Sequence, residues 1–162
     1  MTMTCKQFLA ILSNPILSFS LLIFILFGFD LHGQANDSLA IANIIQSAYV
    51  EGLQNEGDSV KIDAGFHSQF QMIRRVENDS LMLYPIYEWR KRAIEAKESG
   101  YLPRPKSKEV SLEFVFIDIT VDAAVAKVKY FEGKEHTYTD YITLYKFGED
   151  WKIVSKAFYK VE

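Results

Sequence analysis

The sequence predicts an α+β domain in which about three N-terminal helices pack on one face of a curved, mostly antiparallel sheet. Apolar residues recur at helical spacing in the half of the chain that follows residue 36, whereas the half after residue 108 alternates apolar and polar residues, as half-buried strands do. A polar connection with two prolines, from Tyr101 to Lys108, separates the two halves. Helices first and hairpin-linked strands afterwards is the order expected of an α+β domain.

The first predicted helix extends from Asp37 to Asn55. Asp37 or Ser38 can cap its start, and Gly57 is placed to end it, because glycine accepts the left-handed backbone that often follows a helix. Its apolar stripe has four-residue spacing: Ala42, Ile45, Tyr49 and Leu53.

Two further helices are predicted before the polar connection. Asp58 with Ser59 can cap a short helix that stops at Gly65. Pro85 fits the first position of the third helix, which carries Trp89 on its apolar side and is expected to stop near Gly100.

Six strands complete the prediction. A hairpin forms around the turn residues at 77–80, and four longer strands follow the polar connection as an antiparallel meander. The segments are Phe70–Val76, Leu81–Tyr84, Val110–Phe116, Ala124–Lys129, His136–Lys146 and Trp151–Lys160.

The N-terminal 35 residues read as an export signal. An apolar segment from Ile16 to Phe29 follows Lys6, and Gly33 with Ala35 offers small residues for cleavage after Ala35. The alternative is an uncleaved membrane anchor. In either case the domain, residues 36–162, is expected outside the cytoplasm, periplasmic or secreted from a bacterium. A lipoprotein signal is excluded because Cys5 precedes the apolar core.

The composition excludes several classes of function. Cleavage would remove Cys5, the only cysteine, so the mature domain could form no disulfide and no thiolate site. A net charge of −3 with interspersed lysines and carboxylates gives no basic surface for nucleic acid. Glycine-rich phosphate loops, zincin helices and serine elbows are absent from the sequence, and three scattered histidines make a poor metal site. No cofactor and no metal are therefore expected.

Several segments of the mature chain resemble a known family. Ala124–Val128, Thr139–Leu144 and Trp151–Lys156, with Ile117-Asp118-Ile119 and with Phe66-His67 after the second helix, are similar to the "Putative lumazine-binding" family of exported NTF2-like (SnoaL-like) proteins. The resemblance implies a cone-shaped fold that typically encloses a pocket between sheet and helices and often pairs into homodimers. It implies no established ligand and no catalytic residues.

The predicted cone would bring a set of polar and aromatic side chains to one pocket. Trp89 could stack on a flat ring, although a tryptophan on the apolar side of a helix more often belongs to the core, which is the favoured interpretation. Asp140 shares a strand face with Tyr138, Ile142 and Leu144, as does His136 near the strand end. The candidate ligand-binding residues are Trp89, Tyr138, Asp140, His67 and Asp118.

Asp140 has two interpretations. A carboxylate near the Tyr138 phenol is the arrangement that steroid isomerases of this superfamily use for proton transfer. The favoured alternative is a structural pair with Lys156 on the neighbouring strand, because a buried acid with a lysine partner stays ionised.

Three functions remain open from the sequence. The favoured one is a non-catalytic module that binds a small apolar or aromatic-ring ligand. The second is a cofactor-free isomerase, lyase or hydrolase on a small ring compound, with Asp140 or His67 as general base and Tyr138 as donor. The third is an interaction or dimerisation domain whose cone is filled by its own side chains.

Overall fold

The computed structural model describes residues 35–162, of which Ser38–Glu162 form one compact unit. These residues contain three main helices, one short 3-10 helix at Lys106–Lys108 and six strands, so the α+β prediction is confirmed. The predicted export signal lies outside the described residues, apart from Ala35. None of the helices between residues 35 and 162 combines the length and apolar character that a membrane crossing requires.

Helix α1 is α-helical through residues 35–44 and continues as a π-helix over Ile45–Glu56. Gly57 ends it with a left-handed backbone (φ 63°), as predicted. The expected cap at Asp37 or Ser38 is wrong, because residues 35–38 already belong to the helix. The π-helical pattern, normally confined to single turns, was not predicted.

Helices α2 and α3 span Ser59–Gly65 and Ile86–Glu98. The predicted cap of α2 is confirmed, since the Asp58 carboxylate accepts hydrogen bonds from the backbone N–H groups of Val60 and Lys61. Pro85 is the residue before the first turn of α3, where its missing N–H costs no hydrogen bond.

The strands form one six-stranded sheet in the order β2-β1-β6-β5-β4-β3. Only the β1–β6 pairing is parallel, so the predicted hairpin and the predicted four-stranded meander are both present. The strand bounds are β1 Phe66–Arg75, β2 Leu81–Pro85, β3 Val110–Thr120, β4 Ala123–Glu132, β5 Glu135–Phe147 and β6 Asp150–Lys160.

Three irregularities in the meander change which side chains face the helices. One extra residue interrupts the pairing at Val115 in β3, at Thr137 in β5 and at Val154 in β6. Because side chains alternate between the two faces of a strand, each extra residue exchanges the inward and outward positions beyond it.

The hydrophobic core lies between the helices and the inner face of the sheet. Helix α1 packs on α2, α3 and the sheet, with the α2 glycine Gly65 so close that an added Cβ would lie 2.2 Å from Ala48 Cβ. The largest fully buried apolar side chains come from both layers: Tyr49, Phe70, Ile41, Ile45, Ile62, Ile142, Leu144, Ile153, Val50 and Val128.

Candidate functional site: an aromatic cavity with a buried lysine

A cavity of about 380 Å³ lies between helices α1 and α3 and the inner face of the sheet. This volume is within the range of small-molecule sites in proteins, roughly 300–1,000 Å³. Its largest group of lining residues is aromatic: Tyr49, Tyr84, Trp89, Tyr101, Tyr130, Tyr138 and Phe158. The remaining lining residues include Leu53, Gln54, Met72, Ala93, Ala96, Leu102 and four charged side chains: Arg92, Arg104, Glu132 and Lys156.

Lys156 is the buried cation of this cavity. Its Nζ atom lies 2.7 Å from Asp140 Oδ2 and donates to the Tyr49 hydroxyl oxygen at 2.6 Å. The Tyr49 hydroxyl in turn donates to the same Asp140 oxygen at 2.8 Å. The side chains of Lys156 and Asp140 are 7% and 0% exposed. Three buried polar groups therefore hydrogen-bond one another through Asp140 Oδ2.

Aromatic rings surround the Lys156 ammonium group. Its Nζ lies 4.8 Å from the ring centroid of Tyr49, 5.0 Å from that of Phe158, 5.6 Å from that of Trp89 and 5.9 Å from that of Tyr130. A cation within about 6 Å of an aromatic ring is attracted by the negative face of that ring. The rings thus compensate part of the hydration that Lys156 loses.

Burial dominates the ionisation of this cluster. It lowers the pKa of Lys156, and the neighbouring Asp140 carboxylate opposes that shift. Burial also raises the pKa of Tyr49 well above its usual value, with the charge of Asp140 acting in the same direction. For Tyr130 the main cause of a raised pKa is again burial.

Two buried oxygen atoms among the described residues have no hydrogen-bond partner. They are Asp140 Oδ1 and the hydroxyl of Tyr84. Because an unsatisfied buried polar atom costs about 1–3 kcal/mol, such atoms mark places where a water molecule or a ligand completes the structure. The Tyr84 ring lies in the cavity wall, whereas Asp140 lies behind Lys156.

Two arginines contribute to the cavity wall. The Arg92 side chain of α3 is exposed, and its guanidinium group lies 5.1 Å from the centre of the Tyr84 ring. Arg104 donates to the Gln54 carbonyl oxygen at 2.9 Å and lies 3.7 Å from the Glu132 carboxylate. The cavity therefore opens to solvent beside positive charge.

The family model described as "Putative lumazine-binding" matches residues 36–159. The chain belongs to this family. The expectation that the sequence resemblance raised is thereby confirmed. A comparison with curated proteins finds no match for this family member.

Solved structures support the NTF2-like fold. An NTF2-like protein of unknown function from Shewanella baltica is 24% identical, with a TM-score of 0.60, over 79% of this chain and 96% of that chain. A second, from Silicibacter pomeroyi, is 15% identical with a TM-score of 0.63 and covers 79% and 98%. A third, from Methylobacillus flagellatus, is 22% identical with a TM-score of 0.56 and covers 78% and 94%. At these sequence identities, the similarities are evidence for a shared fold and for nothing finer.

The structure brings three of the predicted site residues together. Trp89 and Tyr138 line the cavity, and Asp140 lies directly behind Lys156. The predicted Asp140–Lys156 pair is present. This pair argues against Asp140 as a general base, because its Oδ2 atom already accepts hydrogen bonds from Lys156 and Tyr49.

The other predicted positions lie away from the cavity. Asp118 is exposed on the outer face of the sheet, because the extra residue at Val115 turns Ile117 and Ile119 inward instead. Phe116 is 45% exposed for the same reason. The assignment of Asp118 to the pocket is therefore wrong.

The two histidines of the described residues, His67 and His136, also lie outside the cavity wall. The ring of His67 stacks on Phe147 with centroids 4.9 Å apart, and its Nδ1 accepts the Gln69 N–H at 3.2 Å. The extra residue at Thr137 separates His136, expected to be solvated near the strand end, from the strand face of Tyr138 and Asp140. The His136 ring lies against Phe131, with centroids 5.1 Å apart.

Sequence reasoning missed most of the cavity wall. Tyr130 continues the inward alternation of Ala126 and Val128, so that pattern could have revealed it. Tyr49 was assigned only to the apolar stripe of α1. Lys156 was expected as an ion-pair partner but not as a lining residue, because it faces inward only through the extra residue at Val154.

Proposed function

We propose that the protein is an exported NTF2-like binding module whose cavity holds a small aromatic-ring ligand without transforming it. The cavity carries this proposal. Its volume suits a small molecule, and aromatic rings form most of its apolar wall. Its presence also argues against the alternative in which the cone is filled by its own side chains.

The aromatic wall favours a flat ligand. Trp89 packs edge-on against Tyr49 with ring centroids 5.8 Å apart, and Tyr130 packs edge-on against Tyr138 at 5.5 Å. All four rings also line the cavity. Offset or edge contacts with aromatic rings contribute about 0.5–1.5 kcal/mol each beyond the burial of apolar area. A planar ring would gain such contacts from both layers of the fold.

Lys156 supplies a polar contact at the buried end of the cavity. An ammonium group has three N–H donors, and the bonds of Lys156 among the described residues go to two acceptors, Asp140 and Tyr49. The third donor is available to a ligand. A carbonyl or ring-nitrogen acceptor on the flat ligand would complete the hydrogen bonding of Lys156.

The same cluster supports binding rather than proton transfer. An enzyme of the isomerase type would need an unpaired acid, whereas Asp140 Oδ2 receives both Lys156 and Tyr49. The other proposed base, His67, lies against Phe147 and outside the cavity wall. Tyr138 remains in the wall, where it offers a ring and a hydroxyl to a ligand.

Export and homodimer formation are further parts of this proposal. The signal-like N-terminal sequence supports export. Exposed aromatic side chains on the meander, among them Tyr141 at 43% and Tyr145 at 46% exposure, support pairing through the sheet. Sedimentation of the purified protein over a range of concentrations tests the pairing separately from ligand binding.

The test of binding uses a variant that fills the cavity. Ala96 lines the cavity and is half-buried on α3, so Ala96→Trp should occupy ligand space. Ala157→Trp makes the same change at an exposed position of β6 and serves as the control. Calorimetric titration with naphthalene carboxamide, a neutral planar probe, should show binding to the wild type and to Ala157→Trp and at least tenfold weaker binding to Ala96→Trp, a loss of about 1.4 kcal/mol or more. Equal binding by both variants, or none by the wild type, would contradict the proposal.

A further inference from the structure

We infer that the ligand of the cavity is a planar aromatic anion, and that Tyr84 and Arg92 bind its carboxylate or an equivalent acidic group. This inference rests on the proposed function and specifies the ligand class. Its basis is polar: the unsatisfied hydroxyl of Tyr84 and the guanidinium group of Arg92, which has no ion-pair partner among the described residues, lie on one side of the cavity.

The Tyr84 hydroxyl has no hydrogen-bond partner within the described residues although it is buried. No group among the described residues accepts a hydrogen bond from this phenol, so a ligand atom could do so. Burial raises the pKa of Tyr84, with smaller contributions in the same direction from Glu88 and Glu95, while Arg92 opposes the shift. The phenol therefore keeps its proton and remains a hydrogen-bond donor.

Arg92 provides the charge beside this donor. Its guanidinium group lies 5.1 Å from the centre of the Tyr84 ring, and no ion pair holds it among residues 35–162. An arginine that no ion pair holds, at the edge of an aromatic-lined cavity, favours an anionic ligand group, which it can bind through two parallel N–H donors.

The charges of the whole wall agree with an anion. Arg92, Arg104 and Lys156 line the cavity with one carboxylate, that of Glu132, which lies 3.7 Å from Arg104. Lys156 is balanced by Asp140 behind it. Arg92 is then the cation of the cavity wall that no ion pair holds among the described residues, although the carboxylates of Glu88 and Glu95 on the same helix also act on the Tyr84 phenol.

The sheet register sets the spacing between the two ends of the site. Tyr84 in β2 pairs with Met72 in β1, and Met72 pairs with Lys156 in β6. Neighbouring strands lie about 4.8 Å apart, so the backbones at Tyr84 and Lys156 are separated by two spacings, or roughly 10 Å. A ring system of one or two fused rings fits between an acceptor group at Lys156 and an acidic group at Tyr84 and Arg92.

Two probes of the same shape test the inference. Naphthalene carboxylate and naphthalene carboxamide differ by one charge, and both are titrated calorimetrically into the wild type, Tyr84→Phe and Arg92→Gln. Arg74→Gln is the control, because Arg74 is an exposed arginine of β1. We expect the wild type to prefer the carboxylate by about tenfold or more, since hydrogen bonds to charged groups are the stronger class.

Each outcome decides between the proposals. Tyr84→Phe and Arg92→Gln should each reduce carboxylate affinity about tenfold with a smaller effect on the carboxamide, while Arg74→Gln changes neither. If the carboxamide binds as tightly as the carboxylate, or if the two cavity variants behave like Arg74→Gln, the anion inference is overturned and the binding function stands. Failure of both probes to bind the wild type would overturn both.

Discussion

Lys156 Nζ lies 2.7 Å from Asp140 Oδ2, and this buried ion pair joins the neighbouring strands β5 and β6 beneath the cavity. Asp140 faces Phe158 across the pairing of β5 and β6, so Lys156 reaches it diagonally from a position opposite Ile142. The pair fixes the Nζ atom where it can meet a ligand. Substitutions can separate the contribution of the pair to the stability of the fold from its contribution to ligand binding.

Removing either member of the pair should destabilise the protein strongly. Asp140→Asn or Lys156→Met leaves the other group buried without its partner, which typically costs about 3–5 kcal/mol. The double variant should lose less than the sum of the two, by roughly 1–3 kcal/mol. Urea unfolding of the four proteins measures this coupling. The exposed pair Lys129–Glu113, also 2.7 Å apart, is the matched control with an expected coupling below about 1 kcal/mol. Additive effects at Asp140 and Lys156 would refute the buried pair.

The hydroxyl of Tyr49 should contribute more to stability than that of Tyr130. Tyr49 donates to the charged Asp140 at 2.8 Å, whereas Tyr130 donates to the neutral Gln54 side chain at 3.2 Å. Tyr49→Phe is expected to lower the free energy of unfolding by about 1.5–3 kcal/mol and Tyr130→Phe by about 0.5–1.5 kcal/mol. Chemical denaturation distinguishes the two, and equal losses would show that the charge of Asp140 does not strengthen the first bond.

Stability should fall as the pH rises above about 10, where tyrosines of the unfolded chain ionise. Burial raises the pKa values of Tyr49 and Tyr130, so above this pH the folded state holds more protons than the unfolded state, and the free energy of unfolding decreases with pH. The lowered pKa of Lys156 contributes a slope of opposite sign below its unfolded value of about 10.4.

A variant that retains Lys156 but lacks the two tyrosine hydroxyls therefore isolates the contribution of the tyrosines to the pH dependence of stability. The double variant Tyr49→Phe with Tyr130→Phe should lose stability less steeply with pH than the wild type. Phenolate absorbance of the native protein should also lag behind that of the unfolded chain. Full ionisation of every tyrosine near pH 10 in the folded protein is the result that would exclude buried phenols.

Gly57 should tolerate a side chain less well than Gly100, although both have a left-handed backbone, with φ of 63° and 77°. A Cβ atom at Gly57 would lie 2.6 Å from the carbonyl oxygen of Ala93 in α3, while at Gly100 it would meet nothing within 4 Å. Gly100→Ala should cost about 1 kcal/mol from the backbone alone, and Gly57→Ala an additional 1–3 kcal/mol, approximately, from crowding. Unfolding curves of both variants test the close approach of α1 and α3, and similar costs would contradict it.

The sequence predicted those parts of the fold that depend on local chemistry. The Asp58 cap, the Gly57 helix end, the hairpin before α3 and the four-stranded meander are all present. Each follows from residue preferences or from apolar spacing within one segment. The pair of Asp140 with Lys156 could also be predicted from the sequence, because the two residues lie on neighbouring strands of the meander.

The cavity could not be predicted in the same way. Strict alternation along β3 would place Asp118 inward and strict alternation along β6 from Trp151 would place Lys156 outward, whereas the extra residues at Val115 and Val154 reverse both. A single extra residue in a strand leaves the composition and the apolar period of the sequence almost unchanged. Only the pairing register therefore shows on which face of the sheet each later side chain lies. The π-helical segment of α1 likewise has no signal in apolar spacing.

The most direct test of the account is a crystal structure of the protein grown with naphthalene carboxamide. We predict density for the planar probe inside the cavity, in contact with Trp89 and Tyr138 and with its amide oxygen within hydrogen-bonding distance of Lys156 Nζ. A cavity closed by the protein's own side chains, or a probe bound only on the outer face of the sheet, would contradict the binding function proposed for this domain.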